Sequence, residues 1–301
     1  MYIKPRILLI GATGLLGSSW AQFAKGAYEV IGTLHEREHR LAGVNYCHLN
    51  LDDCNKLKST IVETRAQIVI NCMGMTNVDE CEVNPERAHY CNVVLAENIA
   101  ISCATTKVKF VHISTDHVFD GSQAMRTETD VTEAVNTYAR TKILGEERVL
   151  RACPNALIIR TNFYGIGTYY RRSFSDLILD KLRSHQPIYL FTDAFFTPIL
   201  MENLFEDTHS LLDGKECGIF NVVGDVRVSK FEFGVSVAKV FNLDESLIRP
   251  SLLTDRKDLT LRPLDLSLSN DKLYSVIDKV RCSLRAELAQ LKQLEIERAY
   301  S

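Results

Sequence analysis

The sequence predicts an α/β fold, in which a doubly wound parallel sheet is followed by a smaller α+β region. Three observations predict it. Short runs of apolar residues alternate with helical stretches through the first half of the chain. Several of those runs are apolar on successive residues rather than on alternate ones, as strands covered on both faces must be. After Arg160 the alternation stops, and helices open on Ser-x-x-Asp and Ser-x-x-Glu signals instead.

Each element has its own justification. Arg6–Ile10 is an apolar run that suits a first buried strand, and the glycine-rich stretch Gly11–Gly17 follows at once. Leu15–Ala24 is uncharged and reads as a helix. Tyr28–Thr33 and Asn45–Leu49 read as the second and third strands. Asp53, an N-cap residue type, opens a helix to Thr64. Ile68–Asn71 is a fourth strand, and Pro85–Thr105 is expected as one long helix, with proline at its start. Val108–Ile113 is a fifth strand, Tyr138–Ala152 a helix, and Ala156–Ile159 a sixth strand. The crossovers between parallel strands are expected to be right-handed. Beyond these, Ile188–Phe191 and Gly218–Val222 read as strands. Ser173 and Ser229 each open a capping box, and Leu284–Arg298 has helical spacing.

The domain division follows from that change of rhythm. Residues 1–163, with a return segment 218–245, are expected to form the dinucleotide-binding domain. Residues 164–217 and 246–301 are expected to form the substrate-binding domain. At 301 residues the chain is long enough for both. With 46% hydrophobic and 24% charged residues it has the composition of a globular protein. A net charge of −3 lacks the basic surplus of a nucleic-acid binder. Ile7–Ala24 is uncharged behind Lys4 and Arg6, as in a signal peptide, but three glycines, a threonine, two serines and a glutamine interrupt it. The same residues make it too polar for a membrane span. The nine cysteines contain no CxxC pair, which argues against a metal site and a redox dithiol. So many thiols without pairing signals point to a cytoplasmic protein.

Gly11-Ala-Thr-Gly14-Leu-Leu-Gly17 stands between the first strand and the first helix. Glycines there let the backbone approach a pyrophosphate, and the helix N-terminus presents N–H groups and the positive end of its dipole. The spacing is GxxGxxG, a variant of GxGxxG, and its place in the fold makes a Rossmann-type dinucleotide site the expectation. At the end of the second strand, where an acidic ribose selector usually stands, the chain has Leu34. The following stretch holds both signs. Arg37 or Arg40 suits a 2′-phosphate, and Glu36 suits a ribose hydroxyl. The arginines favour NADP(H) over NAD(H), with Arg37 as the candidate contact.

Tyr138 and Lys142 lie four residues apart on one helical face. A free phenol has a pKa near 10 and shuttles protons poorly at neutral pH, and a neighbouring ammonium is expected to lower it. Tyr138 is then a candidate proton donor to an oxygen receiving hydride. Ser114 and Thr115 follow the fifth strand, beyond whose C-terminal end ligands bind in such sheets. Either hydroxyl is a candidate to orient a carbonyl. No G-x-S-x-G elbow surrounds Ser114, which argues against a hydrolase.

With these motifs the chain resembles the extended short-chain dehydrogenase/reductases, and within them the dTDP-4-dehydrorhamnose reductase family. The resemblance rests on Gly11–Gly17, Asn71–Asp79, Ser114-Thr-Asp-His-Val-Phe-Asp-Gly121, Asn136–Glu146, Ile159–Gly165 and Arg262-Pro263. It implies a catalytic triad of Thr115, Tyr138 and Lys142, with Lys142 also holding the nicotinamide ribose. It implies that Gly11, Thr13, Gly14, Leu15, Leu16 and Gly17 line the pyrophosphate, and that Asn50 and Leu51 run by the adenine. Cys72, Met73, Gly74 and Ser114 are implied along the rest of the cofactor. His117, Asn162 and Arg262 are implied on the substrate side. Arg171 and Arg172 are further candidates for a nucleotide diphosphate.

The chain departs from the family pattern at His117, where a tyrosine is common, at Met73 and Met75, where small alanines are, and at Asn50, where an aspartate is usual. Phe195–Ile199 resembles the family's Pro-Thr region without matching it.

The activity implied is NADPH-dependent reduction of a nucleotide-linked 4-keto-6-deoxy sugar, and paired-helix homodimers are common in the superfamily it resembles. A nucleotide-sugar epimerase or dehydratase is the alternative within the superfamily, but Thr115-Asp116-His117 lacks the Asp-Glu pair typical of sugar dehydratases. A third reading is an NADP-binding regulatory subunit like that of methionine adenosyltransferase, which resembles the same family.

Overall fold

The structure is a computed structural model that describes residues 4–35 and 39–299. Its strands are β1 (Arg6–Ile10), β2 (Glu29–Leu34), β3 (Asn45–His48), β4 (Ile68–Asn71), β5 (Lys109–Ile113), β6 (Leu157–Arg160), β7 (Phe163–Tyr164), β8 (Ile188–Phe191), β9 (Phe195–Phe196), β10 (Ile199–Leu200), β11 (Gly218–Asn221), β12 (Val228–Ser229) and β13 (Ile248–Ser251). The helices are α1 (Leu15–Ala24), α2 (Cys54–Thr64), α3 (Val78–Val83), α4 (Pro85–His89), α5 (Leu95–Thr106), α6 (Thr137–Ala152), α7 (Phe174–Arg183), α8 (Met201–Asp213), α9 (Lys230–Phe241), α10 (Asp271–Val276) and α11 (Leu284–Ala299).

Seven strands form one sheet in the order β11-β6-β5-β4-β1-β2-β3, and every pairing in it is parallel. The order reverses direction between β1 and β4, where a crevice opens beyond the strand ends. Successive residues of the strands face opposite layers. Ile7, Leu9, Ile70 and Ile159 pack on one side with Trp20 and Leu204. Leu8, Ile10, Val69 and Ile158 pack on the other with Ile61 and Ile99. Burying one such side chain contributes roughly 1.5–3 kcal/mol. Cover on both faces is therefore what the continuous apolar runs encode.

A second core lies in the C-terminal half, where Tyr164, Ile178, Phe196, Phe233 and Leu288 pack together. The return segment expected at 218–245 divides between the two cores. Gly218–Asn221 completes the sheet beside β6, whereas α9 packs in the second core. Conversely α8, inside the stretch expected to face substrate, lies on α1 and buries Leu204 and Leu211 against the sheet.

The helix expected at Pro85–Thr105 runs on without a break in helical backbone, but its hydrogen-bond pattern changes within it. Tyr90–Val94 forms a π-turn between α4 and α5. Local sequence does not mark it; its partners are distant. Asn92 Oδ1 accepts from Met75 N–H at 2.8 Å, and its Nδ2 donates to Met75 O and to Thr141 Oγ1, each at 3.0 Å. Gly145 of α6 allows the approach, since a Cβ there would fall 2.5 Å from Asn92 O. Turns of this kind are frequent at functional sites, and this one fixes the loop after β4.

Candidate active site

The glycine turn is a cradle made of backbone. Gly11 has φ +82°, and a Cβ on it would lie 2.9 Å from Met73 N. Gly14 N–H donates to Gly11 O at 2.9 Å, closing the turn. Gly17 packs α1 onto it, since a Cβ there would lie 2.1 Å from Gly11 O. Gly14 caps α1 without a side-chain hydrogen bond, and no acidic residue sits in the first turn. The first N–H groups of α1 are therefore left for an anion. A cavity of about 730 Å³ opens in front of them. Gly11, Thr13, Gly14, Asn50, Leu51, Cys72, Met73 and Gly74 line it, as expected from the sequence. The cradle, its donors and this volume fit a dinucleotide.

Leu15, Leu16 and Gly17 do not line that cavity. The two leucine side chains join the core beside Trp20, so only their backbone groups face the turn. Arg37, and with it Glu36, lies outside the described residues. Leu34 and His35 do line the cavity, beside Asn50 and Leu51. Cys72 is half-buried at the cavity wall, and desolvation pushes its thiol up to about 12, against the opposing charge of Lys142.

The three triad residues converge on one face of β5. Thr115 caps the short 3₁₀ turn Asp116–Val118, accepting from His117 N–H at 3.3 Å. Its hydroxyl lies near enough to the Tyr138 phenol to favour the phenol's charged form. Lys142 Nζ donates to Ile113 O at 2.8 Å. Ser114 is turned away: its hydroxyl donates to Glu146 Oε1 at 2.5 Å, and Glu146 forms a buried ion pair with Arg160 at 2.7 Å. Geometry thus separates the two hydroxyls that the sequence left equivalent.

The electrostatics differ from the expectation. Burial raises the Tyr138 phenol above its ordinary value, the Thr115 hydroxyl opposes that, and the Asp116 charge adds to it. Lys142 does not bring it down. Instead, burial pulls Lys142 itself down to about 8, against the opposite pull of Glu146 and Cys72. Desolvation outweighs the charge pair because both groups sit in an apolar pocket, where Met75, Val78, Cys81 and Ala88 surround the phenol.

Beyond Tyr138 lies a cluster that the sequence revealed only in part. Asp116 accepts from Thr115 Oγ1 at 3.1 Å and from Asn162 Nδ2. The His117 ring packs edge-on to Tyr138 at 5.5 Å, and its Nδ1 is buried without a hydrogen-bond partner. Burial lowers its pKa, with Asp116 opposing. Lys230, the first residue of α9, was not anticipated. Its ammonium lies 3.2 Å from the Phe196 ring centre, and burial pulls it down to about 8, with Asp116 opposing. A cation at a helix N-terminus opposes the dipole, which is a signal the sequence held. Arg262 is held by Asp79 at 2.7 Å, and Asn136 Nδ2 donates to the neighbouring Leu261 O at 2.9 Å. Arg172 is paired with Asp180, whereas Arg171 lines the dinucleotide-sized cavity. Among the described residues no cluster of three or more His, Cys, Asp or Glu could hold a metal ion, and no helix is long and apolar enough to cross a membrane.

Known proteins resemble the chain over most of its length. Agl14 of Haloferax volcanii, a probable low-salt glycan biosynthesis reductase, is 30% identical over 287 residues, covering 94% of this chain and 95% of that protein. Methionine adenosyltransferase 2 subunit beta of Xenopus tropicalis is 29% identical over 286 residues, covering 90% of this chain and 82% of that one. The dTDP-4-dehydrorhamnose reductase of Bacillus anthracis, solved in complex with NADP, shares the fold with a TM-score of 0.85 at 21% identity, over 97% of this chain and 100% of that one. The family model described as the RmlD substrate binding domain matches residues 5–295. That match takes in both cores, and the chain belongs to the dTDP-4-dehydrorhamnose reductase family of extended short-chain dehydrogenase/reductases.

Proposed function

We propose that this chain reduces the C4 ketone of a nucleotide-linked 4-keto-6-deoxy sugar, with NADPH preferred to NADH. The observation that carries the reading is the gathering of Thr115, the buried Tyr138 phenol and Lys142, which is anchored on Ile113 O, beyond the end of β5. A reduced nicotinamide bound in the cavity supplies the hydride. Gly11, Thr13 and Gly14, with the backbone of Leu15, Leu16 and Gly17, hold the pyrophosphate. Asn50 and Leu51 flank the adenine, Cys72, Met73 and Gly74 line the path to the nicotinamide, and Lys142 holds its ribose.

The sugar's carbonyl oxygen rests between Thr115 and Tyr138. As negative charge develops on it, Tyr138 donates its proton. The raised pKa of the phenol suits this direction, because Tyr138 stays protonated at neutral pH. His117, Asn162 and Arg262 face the sugar nucleotide, on the side of segments 164–217 and 246–301.

Purified protein mixed with NADPH and dTDP-4-keto-6-deoxyglucose, or its 3,5-epimerised form, tests the reading by loss of reduced-nicotinamide absorbance. Sugar-dependent oxidation is expected. The similarity to methionine adenosyltransferase 2 subunit beta favours a second reading, a dinucleotide-binding regulatory subunit. NADPH binding with no turnover on any sugar nucleotide, together with a stoichiometric protein partner, would support that role instead.

A further inference from the structure

We propose that Gly165–Arg172, fastened to the glycine turn, helps to clamp the dinucleotide, with Arg171 pairing with the pyrophosphate. The inference rests on the dinucleotide reading of the cavity. It reassigns a residue that the sequence placed beside the substrate's diphosphate.

Arg171 lines the same cavity as Gly11, Thr13 and Gly14, although it is far from them in the chain. The segment that carries it is fastened over the turn. Tyr170 Oη donates to Thr13 O at 3.1 Å. Ser19 Oγ donates to Ile166 O at 3.4 Å. Thr168 and Arg171 exchange two backbone hydrogen bonds, at 3.0 and 3.3 Å, which close a tight reversal. Gly167 lets that reversal sit against α1, since a Cβ there would lie 2.1 Å from Arg171 O and 3.0 Å from Leu15 Cδ1. Gly167 N–H is tied in turn to Asp176 Oδ2 at 2.8 Å.

Charge completes the assignment. The cradle offers backbone N–H groups but no cationic side chain in the first turn of α1. A pyrophosphate carries two negative charges. Two arginines line the cavity, and Arg87 lies 4.0 Å from Glu80. Arg171 has no carboxylate partner among the described residues, although the adjacent Arg172 is held by Asp180. A planar guanidinium on this cavity is the complement that backbone donors lack.

The test is titration of the full chain with NADPH and, separately, NADH, followed by nucleotide fluorescence and calorimetry. Wild-type, R171A, R171K and Y170F proteins are compared. R171A is expected to weaken both nucleotides by a similar factor, roughly tenfold, with a shallower salt dependence. R171K should recover part of the loss, because it restores charge without the fork. Y170F should weaken both by a smaller factor. Unchanged affinities in R171A would overturn the proposal, and a loss confined to NADPH would overturn it by moving Arg171 to the 2′-phosphate. If the wild-type protein bound neither nucleotide, the dinucleotide reading itself would fall.

Discussion

The two ends of the candidate site are built from different materials. At the glycine turn the working groups are backbone donors, and the constraint is space: no Cβ fits at Gly11 or Gly17 without displacing main-chain atoms. At the Tyr138 end the polar groups are side chains from distant segments, and the constraint is charge. Asp116 and Lys142 are removed from water there, and Lys230 is half-buried beside them. The first end should tolerate changes of side-chain chemistry and fail on added volume. The second should tolerate small changes of volume and fail on the loss of one polar atom.

The largest effect expected tests that second half. Replacing Tyr138 with Phe keeps the ring packed against Met75 and Cys81 and removes only the hydroxyl. On the reductase reading, kcat should fall by about 10²–10⁴-fold, while NADPH affinity changes by no more than about twofold. A Y138F protein with near wild-type turnover would remove Tyr138 as proton donor.

Next in size is the volume test at the other end. Gly17→Ala pushes a methyl to 2.1 Å from Gly11 O, against backbone that cannot step aside. The expected loss of stability is on the order of 3 kcal/mol, read as a fall in Tm. Gly26→Ala is the control, because a Cβ there meets nothing within 4 Å. It should leave Tm unchanged or slightly raised. Equal behaviour of the two variants would contradict the space-limited description of the turn.

The same contrast explains what the sequence made legible. The sheet, the glycine turn and the Tyr138–Lys142 pair are local patterns, and all appear where the strand rhythm put them. The π-turn at Tyr90–Val94 was not legible, because it is held by Asn92 reaching Met75 and Thr141, contacts that no local pattern encodes. Nor was the direction of the Tyr138 shift. Spacing on a helix suggests that Lys142 lowers the phenol, but burial decides the sign, and burial belongs to the tertiary fold. Lys230 was missed for the same reason: it nears Asp116 only when α9 docks beside β9.

A third experiment sharpens the comparison by pH. Lys142 has been pulled down to about 8, so it is charged below that pH and neutral above it. NADPH binding should therefore weaken as pH rises through about 8, in so far as the ribose contact needs the ammonium. A titration from pH 6.5 to 9.5, run beside K142M, reads it, and the step should vanish in the variant. A flat wild-type profile would detach Lys142 from the cofactor. For folding the sign is opposite. A lysine with a depressed pKa costs stability below 8, and that cost is relieved as pH climbs toward its ordinary 10.5.

The smallest expected effect separates two arginines at the cofactor end. Arg37 follows β2, where a 2′-phosphate would lie, and the two cofactors differ only in that group. Arg37→Ala should weaken NADPH several-fold, since one charge-assisted contact is lost, and leave NADH nearly unchanged. Arg171→Ala should instead weaken both alike, because the pyrophosphate is common to them. A double variant reads the two contacts together. If they are independent, its NADPH loss is the product of the single losses, and its NADH loss equals that of R171A alone. Equal losses of the two cofactors in R37A would remove Arg37 as the 2′-phosphate contact. Discrimination would then have to come from elsewhere on the cavity wall, where Leu34, His35 and Asn50 stand.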